Sequence, residues 1–279
     1  MTTVGFAQTV KNNKFLYRLT FVLFIALTMC YLYIHRLGLD STLTVRQIWG
    51  STYQILAILG GITGLFVART WGYKSLFGKA ILFFAIGLLL QAFGQSVDSF
   101  YNFFLNATIP YPSLGDLGFM GSVFAYIIAS IYLLKATGIQ VSIKSIKGKA
   151  LAICIPLILL VTCYFFFLQG YQFDWTNKLK IFLDFGYQLG QATYVSIALL
   201  AYISSKNYFG GTLRLPFVFL IIALIFQYIS DFTFLYQANA GTWYVGGLND
   251  FMYFVSYTIM TLALIYFGGV HKAILDQDK

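Results

Sequence analysis

Residues 111–133, YPSLGDLGFMGSVFAYIIASIYL, return in outline 134 positions later as residues 245–267, VGGLNDFMYFVSYTIMTLALIYF. At that one offset Leu114, Asp116, Ser122, Ala129, Ile131 and Tyr132 align with Leu248, Asp250, Ser256, Ala263, Ile265 and Tyr266. Tyr53 and Gln54 align with Tyr187 and Gln188 at the same offset, and a two-residue gap brings Gln91 onto Gln227. Both copies place an Asp at the mouth of an apolar stretch of about 20 residues, the length that crosses a bilayer as a helix. The chain therefore reads as two halves of one design.

Outward from this stretch, apolar runs of similar length recur along all 279 residues. Charged residues make up 10%, against about 25% in a soluble domain, so a water-facing surface cannot be built. Eight spans are expected, near 17–37, 49–69, 79–101, 114–136, 149–169, 180–204, 214–236 and 247–269. They must be helices, because strands of this length would alternate as barrel strands do, and these do not. The fold class expected is an all-α polytopic transmembrane bundle forming a single domain. It comprises two four-helix repeats, about 17–136 and 149–269. Four is an even number, so both repeats insert the same way up, as parallel rather than inverted copies.

The basic residues test the count. With the amino terminus inside, only Arg36, Arg46, Lys178 and Lys180 of the 18 Lys and Arg fall outside. The rest sit in alternate loops, as the positive-inside rule requires of eight spans with both termini cytoplasmic. The net charge of +9 is then a topology signal rather than a nucleic-acid footprint. Lys11, Lys14 and Arg18 precede an apolar run ending at Cys30. Met29 occupies the site before that cysteine, where a cleavable lipoprotein leader needs a small residue, so a retained first span is expected. Cys30, Cys154 and Cys163 lie in apolar spans and read as buried, inert thiols.

The acids are all Asp, with no Glu, and they cluster towards the outer face. Asp98, Asp116, Asp231 and Asp250 fall near the outer ends of their spans, and Asp40, Asp174 and Asp184 stand close by. Gln54, Gln91 and Gln95 belong to the same outer half of the first repeat, as do Gln188, Gln191 and Gln227 in the second. Charge within hydrocarbon costs about 2.5–3.5 kcal/mol on insertion scales, so these groups should face the bundle interior or a wet cavity. The candidate ligand-binding set is Asp231, Asp250, Asp116, Asp98, Gln91, Gln227, Gln54 and Gln188, rimmed by Trp243, Tyr111 and Tyr244.

A plainer reading stands beside it. Ser113 and Asp116 have capping-box spacing, and 246–250 (GGLND) can cap the eighth span similarly. Asp116 and Asp250 read first as caps and second as ligand contacts. Asp231 lies deeper and has no capping role, so for it the order is reversed. Gly60, Gly61 and Gly64, and likewise Gly186 and Gly190, suit close helix packing. Asn106, Ala107 and Thr108 form a glycosylation sequon in an expected outer loop.

Several chemistries are set aside. His35 and His271 fall at opposite faces, which removes a histidine metal site, a triad and a Ser–His protease; no metal and no cofactor are expected. No Lys lies mid-span to carry a Schiff base. Leu114, Gly115 and Asp116 are similar to part of the Gly-x-Gly-Asp motif of intramembrane aspartyl proteases. However, Ser113 replaces the first Gly, Val97 precedes Asp98 where a Tyr is required, and no Pro-Ala-Leu follows.

The segment 111–116, YPSLGD, resembles the Pro-Ser-x-x-Asp element in multi-span sensory regions of some bacterial signalling proteins. The resemblance covers one loop and one helix start. It implies a sensor-type membrane module with Asp116 as a cap. No kinase or cyclase output domain follows Lys272, so a standalone module is expected.

The function expected is non-enzymatic: an outward-facing polar pocket in a prokaryotic cytoplasmic membrane, serving as a small-ligand sensor or binding module. The alternative is a secondary transporter using the seam between the repeats. Expected partners are the lipid bilayer, a small molecule or cation at the outer face, and a cytoplasmic protein at the lysines of 135–149. Nucleic acid is not among them.

Overall fold

The computed structural model describes residues 13–38, 43–105, 109–137, 146–165, 169, 171–205, 213–239 and 241–277. Lys11, Asp40, the 106–108 sequon, Lys144, Lys206, Asp278 and Lys279 lie outside the described residues, as does most of the 135–149 loop. Among the described residues there is helix and no strand. The helices are α1 (Lys14–Arg36), α2 (Leu43–Thr52), α3 (Ile55–Trp71), α4 (Leu76–Phe100), α5 (Gly115–Ala136), α6 (Ile146–Cys163), α7 (Lys178–Ser205), α8 (Arg214–Asn239) and α9 (Leu248–Gln277). A π-turn, Tyr101–Leu105, extends α4.

Six stretches are long and apolar enough to cross a membrane: Lys14–Arg36, Thr44–Trp71, Leu76–Leu105, Gly115–Ala136, Arg214–Ala238 and Leu248–Asp276. This is the architecture of an integral membrane protein. The fifth and sixth expected spans coincide with α6 and α7 but fall short of that standard. The described apolar part of α6 is only Ile153–Thr162. Along its length α7 carries Lys178, Lys180, Asp184, Gln188 and Gln191.

Local chemistry sets the helix ends. Gly72, at φ 82°, closes α3 in a conformation that other residues resist. Ser75 then caps α4, accepting the Gly78 N–H at 2.8 Å. Asn177 does the same for α7, accepting the Lys180 N–H at 3.1 Å. Pro216 sits in the first turn of α8, where its missing N–H has no intrahelical role to fill.

Helices pair around a closed circuit: α3 on α4, α4 on α5, α5 on α7, α7 on α8, α8 on α9, and α9 back on α3. Small residues bring backbones close at two of these seams. A Cβ on Gly60 would lie 2.2 Å from Thr261 Oγ1, and one on Gly64 2.9 Å from Leu264. Across α5 and α7, a Cβ on Gly190 would meet Val123 at 2.3 Å. This is the small-residue packing of membrane helices, which have no water to expel between them. Helix α1 is peripheral, with 6% of its apolar window buried against 72% for α9. It is tied on by the Trp49 indole N–H, which donates to Leu27 O at 2.9 Å.

The outer flanks of the bundle are apolar. Phe21, Phe66, Phe93, Phe124 and Leu157 are among the large hydrophobic side chains exposed there, as lipid contact requires. Cys30 and Cys154 are exposed too, which corrects the expectation that they are buried. Their apolar surroundings belong to the outward face of α1 and α6, not to the core. The side chain of Cys163 is not described.

Chain direction separates two ends. Helices α3 and α4 meet at Trp71 and Phe77, where α8 begins and α9 runs out. There Trp71 packs on Phe77 and His271 (ring centroids 5.3 and 5.1 Å), Phe77 on Phe217 (6.3 Å), and Phe217 on Phe267 (5.9 Å). Phe217 and Phe267 are fully buried, so this end is sealed by rings. The opposite end is polar.

Candidate functional site

At the polar end a cavity of about 850 Å³ opens between α2, α4, α5, α7, α8, α9 and the segments 109–113, 169–174 and 243–245. Six carboxylates line it, Asp98, Asp116, Asp174, Asp184, Asp231 and Asp250, and Lys180 is the one cation among the described lining residues.

Asp116 begins α5. One carboxylate oxygen accepts the Ser113 N–H at 2.7 Å, and Ser113 Oγ accepts the Gly115 N–H at 3.0 Å. The carboxylate half of the capping box that the Ser-x-x-Asp spacing anticipates is thus present, but the Ser113 hydroxyl meets the N–H of Gly115, while that of Asp116 goes to Ser113 O at 3.2 Å. The other carboxylate oxygen accepts the Tyr187 hydroxyl of α7 at 2.6 Å. Asp116 is therefore a cap and a cavity wall together.

Asp250 is built alike at the start of α9. It accepts the Gly246 N–H at 2.6 Å and faces the Tyr53 hydroxyl at 3.5 Å. Gly246 holds φ at 75°, and a Cβ there would lie 2.9 Å from Arg46 O. Glycine is thus required twice over, for the turn and for the close approach.

Tyr53 lies in the break between α2 and α3, where Tyr53 and Gln54 form a turn within the apolar stretch Thr44–Trp71. Gln54 pins that break from outside, donating to Ser51 O at 2.8 Å and accepting the Ser96 hydroxyl at 2.9 Å.

Asp231 is held without any helix start. The Tyr253 hydroxyl donates to it at 2.5 Å, Gln191 Nε2 at 2.5 Å and Gln227 Nε2 at 3.1 Å. Three helices, α7, α8 and α9, thus converge on one carboxylate.

Beneath the cavity a second polar tier is fully buried. Gln91 Nε2 donates to Ser122 Oγ at 2.6 Å, and the Tyr257 hydroxyl donates to Gln91 Oε1 at 2.9 Å. Ser256 Oγ donates to Gln227 Oε1 at 3.2 Å.

At the mouth, Asp184 accepts two phenols, Tyr111 at 2.5 Å and Tyr171 at 2.7 Å. Burial first, and then the bond to Asp184, push the Tyr111 phenol well above its usual range. Tyr111 therefore remains a proton donor at any physiological pH. Asp174 is held below the usual carboxylate range, chiefly by the Thr176 hydroxyl at 2.5 Å and the Thr176 N–H at 3.1 Å.

Of the residues singled out from sequence, Asp231, Asp250, Asp116, Asp98, Gln188, Trp243 and Tyr111 line the cavity. Gln91, Gln227 and Gln54 do not. The first two form the tier beneath, and the third braces the helix break. Tyr244 also stands off the lining, with Arg46 over its ring at 5.0 Å.

Asp184, Tyr187, Tyr253, Tyr171 and Asn249 line the cavity as well, although they are not in the candidate set. Asp184 and Tyr187 carried a signal: one is an Asp near the outer face, the other half of the repeated Tyr-Gln pair. For Tyr171 and Tyr253, among 21 tyrosines, no local signal separates site from anchor.

Several buried groups around this cavity lack a hydrogen-bond partner among the described residues. Both amide atoms of Gln188 do, as do Asn249 Oδ1, Asp98 Oδ1 and the Trp243 indole N–H. Among the described residues no group of three or more His, Cys, Asp or Glu stands close enough to hold a metal ion. Comparison with protein-family models, curated proteins and solved structures finds no match.

Proposed function

We propose that this protein is a non-enzymatic membrane module that binds a small ligand in an outward-facing pocket and acts as a sensor. In this reading α6 and α7 complete an eight-span bundle with both termini cytoplasmic in a prokaryotic membrane, and the halves are parallel repeats. The basic residues support that topology, since most fall in alternate loops on the sealed side.

The Tyr–Asp pairs support the repeat. Tyr187 with Asp116 and Tyr53 with Asp250 are the same pair shifted by 134 in both members. Each pair joins one half to the other. Gln91 with Ser122 and Gln227 with Ser256 correspond as well. The helix circuit also maps onto itself when α3, α4 and α5 are exchanged for α7, α8 and α9.

One observation carries the function: a carboxylate-lined cavity with buried, unpartnered amides at one end of a bundle whose other end is closed by aromatic rings. Buried polar groups are almost always satisfied, so an unsatisfied amide in a cavity wall points to a missing partner. A ligand that draws on Asp116 or Asp250 competes with a cross-half hydrogen bond and so biases the packing of the halves. The cytoplasmic 135–149 segment would carry that shift to a protein partner, and its lysines suit anionic headgroups.

The test is thermal unfolding of the detergent-purified protein against pH, cations and small metabolites, beside Asp231→Asn and Asp250→Asn. A compound that raises the wild-type midpoint but not the variants' marks the cavity as a binding site by linkage. Variants that only melt earlier, with nothing stabilising wild type, would make these carboxylates structural.

A secondary transporter is the second reading, favoured by the break at Tyr53 and Gln54. Discontinuous helices commonly frame transport sites. Substrate flux into proteoliposomes decides between the two.

A further inference from the structure

We infer that the cavity takes an elongated organic polycation, a linear di- or polyamine, in preference to a neutral, anionic or monatomic ligand. This inference rests on the pocket reading above and assigns its chemistry.

The first observation is charge. Six carboxylates and one lysine line a single cavity, so its field concentrates cations and repels anions. The second is independent of charge. Gln188 is 1% exposed, lines the cavity, and leaves both Oε1 and Nε2 without a partner. Asn249, also 1% exposed, donates its amide to Ser230 O at 2.6 Å but leaves Oδ1 unmatched.

With Asp98 Oδ1, the unmatched acceptors on the wall come from α4, α7 and α9. They are spread around the circuit, not gathered at one point. An ammonium group offers three donors and no acceptor, which complements these acceptors, while the unmatched donors Gln188 Nε2 and the Trp243 indole N–H are left to other partners. Several ammonium groups on one chain reach acceptors on several helices.

Size and walls point the same way. At about 850 Å³ the cavity is in the range that holds a drug-sized molecule, far more than one metal ion. Tyr187, Tyr253, Phe119 and Trp243 also line the cavity, and aromatic rings pack against methylenes and attract ammonium groups.

The probe is spermidine, titrated by calorimetry and thermal unfolding into the full chain in nanodiscs. 1,8-Octanediol serves as the neutral rod, suberate as the anionic rod and Mg²⁺ as the inorganic cation. Spermidine alone is expected to bind saturably and raise the midpoint, with affinity falling as salt rises. Gln188→Leu and Asp98→Asn should each weaken spermidine by about tenfold or more. Gln188→Leu should also raise the ligand-free midpoint, because an apolar group replaces an unsatisfied amide.

An equal response to Mg²⁺, or spermidine binding unchanged in both variants, overturns the proposal. Octanediol or suberate binding that Gln188→Leu abolishes overturns the polycation class and leaves the pocket standing. No binding by any of the four overturns the class and removes the support for the pocket as well.

Discussion

The two ends of this bundle are made from the same helices and solve opposite problems. At the sealed end Trp71, Phe77, Phe217 and Phe267 meet ring to ring, and dispersion and shape do the holding. At the open end Asp116 and Asp231 are each held by hydrogen bonds from more than one segment, and Asp250 by the Gly246 N–H with the Tyr53 hydroxyl 3.5 Å away. A carboxylate set into a buried wall is costly unless donors meet it, and these three have them. One end can be repacked with apolar residues of similar volume. The other depends on particular atoms at particular distances, which is why function is sought there.

The largest expected effect tests the sealed end. Phe217→Ala removes a ring buried on all sides and should cost about 3–5 kcal/mol of unfolding free energy, while leaving ligand binding unchanged. A loss under about 1 kcal/mol in a reversible unfolding titration would mean that this end is loosely packed and the contrast is false.

Asp231→Asn comes next. It retains the shape but points an amide at donors from Gln191, Gln227 or Tyr253, so about 1–3 kcal/mol should be lost. No loss in the same assay would mean that the three donors do not hold the carboxylate.

A smaller effect separates the halves. Tyr187→Phe deletes a 2.6 Å bond to Asp116 and should cost about 1.5 kcal/mol. Tyr53→Phe deletes only a 3.5 Å contact to Asp250 and should cost under about 0.5 kcal/mol. Equal costs would show that the two pairs are energetically equivalent despite their geometry.

The smallest effect lies at the mouth. Thr176→Ala should raise the Asp174 titration midpoint towards the ordinary value of about 4, followed by carboxyl NMR. Because the folded-state value is depressed, the interaction is fully present above the ordinary range and is lost as pH falls through the folded value. The variant should therefore differ from wild type at neutral pH, where the bond is fully present, and converge with it at pH below the folded value. An unmoved midpoint would show that Thr176 does not hold Asp174.

Much of the site was legible in sequence for a simple reason. A carboxylate in an apolar span is costly wherever it points, so Asp98, Asp116, Asp231 and Asp250 stood out from their neighbours alone. Ser113 and Asp116 revealed a cap through spacing. The second role of Asp116, accepting Tyr187, did not show, because that bond joins residues 71 positions apart. Gln54, Gln91 and Gln227 illustrate the converse. Each is a polar residue within an apolar stretch. Whether such a group faces the cavity, the tier below or the helix break depends on rotation about the helix axis and on the neighbouring helix. For Cys30 and Cys154 the apolar context was plain, but lipid-facing and core-facing apolar surfaces look alike in a sequence.

By itself, then, the sequence determined the helical class, the membrane setting and the one-sided placement of the carboxylates. These follow from length, hydropathy and the cost of charge, all local quantities. Only the tertiary structure decided which helices close the circuit, that Tyr187 and Tyr53 reach across to Asp116 and Asp250, and that Gln188 and Asn249 are left with unmatched atoms at a cavity wall. Those are properties of pairs and of enclosed space, and no single stretch of chain carries them.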